Sequence, residues 1–89
     1  MLSASKSNVD AWYAKEIPAF RKALRNASTR EEVNAAWAAL VDKTKVVNYD
    51  IPAATPEPLR GALRDYVFQR YNDTFPVLQA EMAARVNEL

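Results

Sequence analysis

Apolar residues recur along this chain at steps of three and four. Val9, Trp12, Tyr13, Ile17, Phe20, Ala23, Leu24 and Ala27 form the first such stripe, and the period predicts an amphipathic helix from about Val9 to Ala27. Ser7 or Asn8 is placed to cap it, with Asp10 in the first turn beside the positive end of the dipole. Pro18 lacks an amide hydrogen and crowds the carbonyl of Ala14, which predicts a kink. The apolar phase continues through it, so a full break is not expected. A second helix starts near residue 28. Ser28 precedes Glu31 by three residues and Thr29 precedes Glu32 by three, and either register makes a capping box. Val33, Ala36, Trp37, Leu40, Val41 and Thr44 form its buried stripe. The short link at Asn26–Ser28 makes helices one and two an antiparallel hairpin.

From Lys45 to Thr55 the pattern changes to Val46, Val47, Asn48, Tyr49, Asp50, Ile51 and Pro52. The stretch leans towards β structure, yet no other segment offers a partner strand, and a lone strand leaves its backbone unsatisfied. It is expected to be an extended crossover in which Val47, Tyr49 or Ile51 plugs the bundle; strand addition to a copy or a partner is the alternative. Thr55-Pro56-Glu57-Pro58 reads as the start of a third helix: a hydroxyl cap and a proline suited to the first turn. Leu59, Ala62, Leu63, Tyr66 and Val67 supply its inner face, and Gly61 suggests close approach of another backbone. Asn72-Asp73-Thr74 before Phe75-Pro76 is expected to end or strongly kink this helix, leaving Val77, Leu78, Met82, Val86 and Leu89 as a fourth stripe. The fold class expected is therefore all-α, a small bundle of three to four helices with an extended crossover between helices two and three.

Length allows one domain, read as residues 8–89 behind a flexible arm at residues 1–7. The arm lacks the apolar core of a signal peptide, and the longest apolar run, Ala35–Val41, is far short of the ~20 residues of a membrane span. A cytoplasmic protein with no membrane contact is expected. The chain has no Cys, no His and a single Gly, with 12 Lys and Arg against 11 Asp and Glu for a net charge of +1. Without thiols or imidazoles most catalytic and metal-site chemistry lacks its usual groups. Glu31 and Glu32 are better used as capping residues, Asp65 and Asp73 stand without a histidine or second acidic pair, and no glycine-rich phosphate loop is present. No enzyme, cofactor or metal site is expected.

Two surfaces remain. Arg64, Phe68, Tyr71 and Phe75 are spaced four, three and four, which sets them on one side of helix three away from Leu63 and Val67. Either that helix is central and buried on both sides, or these residues, with Arg70, form the aromatic and Arg-rich surface that interfaces favour. The second is the expected partner-binding site, for a protein not identified by the sequence. Arg21, Lys22, Arg25 and Arg30 form the one dense basic patch. It solvates a helix C-terminus and complements its dipole, or else touches nucleic-acid phosphates, although no groove-reading motif accompanies it. Trp12 and Trp37 lie on facing inner stripes and are expected to meet across the hairpin.

The run Ala27-Ser28-Thr29-Arg30-Glu31-Glu32-Val33 leading to Trp37 resembles the capped helical hairpins of many small accessory modules, those of phages and other mobile elements among them. It names no family and assigns no residue a role. The expected function is thus a non-catalytic protein-binding module: an adaptor, an inhibitor of a larger protein, or a phage or mobile-element accessory factor. The alternatives are a nucleic-acid-associated protein using the basic patch and a structural homo-oligomer subunit held by the Phe68 face.

Overall fold

The computed structural model describes residues 2–89. Helix α1 spans Leu2–Asn26, α2 Arg30–Lys45, a π-helical turn Val46–Asp50, the short α3 Ile51–Ala54, and α4 Leu59–Glu88. The chain is all-α, with no strand among the described residues. Its apolar stripes converge on one core: Val9, Tyr13, Ile17, Phe20 and Leu24 from α1, Val33 and Leu40 from α2, Val47 from the π turn, and Leu63, Val67, Phe75 and Leu78 from α4.

Several expectations are corrected. Helix α1 begins at Leu2, so residues 2–7 are its first turns and not an arm, and Ser7 and Asn8 lie inside the helix. Contacts with the rest of the fold hold those turns: Ser5 Oγ and Thr55 Oγ1 are 2.9 Å apart, and Lys6 Nζ sits 5.1 Å from the centre of the Tyr66 ring. Helix α1 continues through Pro18, where no break was expected, but α4 also runs on through Pro76, where an end or strong kink was. A proline inside a helix costs about 3 kcal/mol, yet Phe75 and Leu78 flank Pro76 and both are buried, which keeps α4 seated on either side of it. A small round core could not cover a helix this long. The molecule instead measures 47 × 17 × 16 Å, matching the ~45 Å that thirty helical residues span at 1.5 Å each, and α1 lies against α4.

The crossover is helical and not extended. The β-branched residues there satisfy their backbone within the chain by continuing from α2 in a wider turn, with Ile51 N–H donating to Val46 O five residues back. Pro52 follows directly and has no N–H to give, which removes one α-register bond where the pitch changes. Val47 is the residue that enters the core, while Tyr49 stays outside.

Helix α2 takes the Thr29 register of the two capping options: Thr29 Oγ1 accepts from Glu32 N–H at 3.2 Å. Thr55 does not cap α4. Its hydroxyl donates back to Ile51 O at 2.9 Å, and α4 begins after Pro58 with no side-chain cap. Arg60 Nε closes the junction by donating to Pro52 O at 3.1 Å and Thr55 O at 3.0 Å. Gly61 marks no close approach, because a methyl built there would meet no atom within 4 Å. The two tryptophans do not pair. Trp12 packs edge-on against Tyr13 with centroids 4.9 Å apart, whereas Trp37 meets Phe20 at 5.8 Å and Phe75 at 6.0 Å.

Candidate functional site

Phe68 and Phe75 lie seven residues apart on α4, nearly the same direction around the helix axis and ~10 Å apart along it. Their surroundings differ completely. Phe75 is 2 % exposed and is enclosed by rings from three sources: Tyr13 of α1 at 6.4 Å, Trp37 of α2 at 6.0 Å, and Tyr71 of α4 itself, stacked at 4.2 Å. Phe68 is 69 % exposed. At its height α2 has ended, and the π turn and α3 stand opposite.

The space left between them is a groove of about 490 Å³. Buried Pro52 and Val67 form its floor. Its aromatic rim is Phe68, Tyr71 and Tyr49, the last 70 % exposed. Asn48 and Asn72 add side-chain amides, and Arg64 is the one ionic residue in the lining. Among the described residues Arg64, like Arg25 and Arg30, has no carboxylate partner, whereas the other arginines of α4, Arg60, Arg70 and Arg85, each have one.

The expected binding surface therefore divides. Arg64, Phe68 and Tyr71 are brought together at the groove. Phe75 is removed from it by burial, and Arg70 turns towards α1. The Arg70 guanidinium lies 4.5 Å from the centre of the Tyr13 ring, and its Nε is 3.6 Å from Asp10 Oδ1. The same carboxylate accepts from the Tyr66 hydroxyl, a bond that raises the Tyr66 pKa. Burial pushes the Tyr13 phenol up to about 12, and its hydroxyl makes no hydrogen bond to another protein group. Tyr49, Asn48 and Pro52 complete the groove and were not singled out as binding residues by the sequence pattern. Tyr49 had a signal, a large aromatic in a segment with no partner strand, but its juxtaposition with Phe68 depends on the turn that carries it.

The basic patch is partly committed. Arg21 makes a two-pronged contact with Glu81, its Nε 3.0 Å from Oε1 and its Nη2 3.0 Å from Oε2, and this bond raises the Arg21 pKa. Lys22, Arg25 and Arg30 are exposed. Arg85, which sequence reasoning did not place here, closes the end of α1 by donating to Leu24 O at 2.9 Å and Ala27 O at 2.6 Å.

Asp65 and Asp73 share the unbroken α4, with Asp73 Oδ1 accepting from Gln69 Nε2 at 2.9 Å. Among the described residues no three His, Cys, Asp or Glu side chains gather where a metal ion could be held, and no helix is long and apolar enough to cross a membrane. Comparison with protein-family models, with curated proteins and with solved structures finds no match for the chain.

Proposed function

We propose that this chain is a non-catalytic protein-binding module, an adaptor or an inhibitor of a larger protein, and that it works through the groove between the π turn and α4. One observation carries the reading: Phe68 and Tyr49, each about seven-tenths exposed, flank a floor of buried apolar residues. Single exposed hydrophobics are normal on a protein surface, but several aromatics around one concavity have the composition of a binding hot spot. Ring burial there supplies affinity at little conformational cost, because the floor and Tyr71 are already fixed by the core.

The basic patch lends less support to its rival. Arg21 is occupied by Glu81, and the remaining exposed cations accompany no aromatic stacking surface of their own. A homo-oligomer would use the same groove and is tested alongside.

The experiment is capture from a lysate of the cells that make the protein, with and without nuclease, using wild type and a Tyr49→Ala, Phe68→Ala double variant. The expected result is a protein retained after nuclease and lost with the variant, which keeps its helical circular dichroism. Retention that nuclease abolishes, or that the variant leaves intact, would contradict the reading. Sedimentation of the purified chain at high concentration checks the oligomer: a concentration-dependent dimer that the variant abolishes would assign the groove to self-association.

A further inference from the structure

Resting on the reading that the groove binds protein, we propose that its occupant is an acidic peptide segment. A bulky aliphatic or aromatic side chain of the segment sits over Val67 and Pro52 between Tyr49 and Phe68, and an Asp or Glu near it in sequence pairs with Arg64. The argument begins with charge. Arg64 is the groove's sole ionic side chain, it is exposed, and no carboxylate of the described residues neutralises it. Elsewhere on α4 the chain provides its arginines with internal partners, Asp10 for Arg70 and Glu88 for Arg85. A bound side chain that covers the aromatic rim displaces water from beside Arg64, which strengthens a pair with a carboxylate and penalises a like charge.

The same charge decides against the other occupants. Two grooves paired about a two-fold axis would offer Arg64 no carboxylate from either lining, so its charge would be covered without a partner. A nucleic-acid strand needs cations that follow successive phosphates. Here the lining holds one, Arg64. The amides of Asn48 and Asn72 make no side-chain hydrogen bond among the described residues and are available to orient the segment's polar groups.

The test is selection of peptides from a random displayed library on the immobilised wild-type chain. Selected peptides are then synthesised and titrated against wild type, Phe68→Ala and Arg64→Glu, with a mixed-sequence single-stranded oligonucleotide as a parallel probe. The expected peptides carry Asp or Glu within a few residues of Leu, Phe, Met or Trp. Their affinity falls about tenfold or more with Arg64→Glu, and replacing the peptide carboxylate by Lys restores binding to that variant. Phe68→Ala also weakens them. Peptides that need Phe68 but ignore Arg64→Glu would overturn the acidic class while leaving the groove as a protein site. Peptides indifferent to both variants, or no selected peptide at all, would overturn both readings. Oligonucleotide binding lost with Phe68→Ala and stronger than any peptide's would overturn the proposal in favour of nucleic acid.

Discussion

Phe68 and Phe75 occupy one line on α4 two turns apart, and the fold treats them oppositely. Phe75 joins Tyr13, Tyr71 and Trp37 in an aromatic cluster that ties three helices together. Phe68 faces the π turn across an open groove. Nothing in the chemistry of the two side chains differs. What differs is the element opposite: α2 places Trp37 over the one, while the π turn places the small polar Asn48 and the outward Tyr49 beside the other. One helix thus supplies core over one half of its face and leaves the other half open to solvent.

The largest expected effect lies on the buried side. Phe75→Ala should cost about 3–5 kcal/mol, the range for emptying a packed aromatic site, read as a lower denaturation midpoint in urea. Tyr13, packed edge-on against Phe75, adds a pH dependence. Its phenol is pushed up to about 12 by burial, whereas in the unfolded chain it titrates near 10. Its contribution is therefore full below pH 10 and is lost as pH rises from about 10 to 12, because the unfolded chain gives up its proton first. The loss is on the order of 2 kcal/mol by pH 12, and Tyr13→Phe should remove that part of the alkaline instability.

Smaller effects follow on the ends and on the open half. Arg85→Ala leaves the Leu24 and Ala27 carbonyls without their charged donor and should cost about 1–2 kcal/mol in thermal or urea unfolding. Gly61→Ala, in a helix with open space around that position, should stabilise by about 0.5–1 kcal/mol, seen as a raised melting temperature. The Tyr49→Ala, Phe68→Ala variant should change stability least, within about 0.5 kcal/mol, since both rings already face solvent. A larger loss would mean that the groove is held together by its rim and is not a free surface.

Much of the fold was legible. The stripes through Val9–Leu24, Val33–Leu40 and Leu63–Val67 report a period, and the period identifies the face that packs. The Thr29–Glu32 cap was readable because its partners are three residues apart. The site was half legible for the same reason. Spacing placed Arg64, Phe68, Tyr71 and Phe75 on one side, but periodicity reports direction around an axis and says nothing of what stands opposite at each height. It could not separate Phe68 from Phe75. Nor could it show that Arg70 would be drawn to Tyr13 and Asp10, or that Tyr49, with its β-leaning neighbours, would ride a helical turn to the groove. Backbone satisfaction and tertiary burial of Val47 overrode local propensity there.

Unfolding and partner capture on Phe68→Ala and Phe75→Ala, measured side by side, test the division of α4 most directly. The expected outcome is that Phe68→Ala keeps wild-type stability and loses the partner, while Phe75→Ala loses several kcal/mol, about 3–5 by the cavity argument. A Phe68→Ala chain that unfolds readily, or that is fully stable and still retains every partner, would contradict the claim that this half of the helix is a recognition surface.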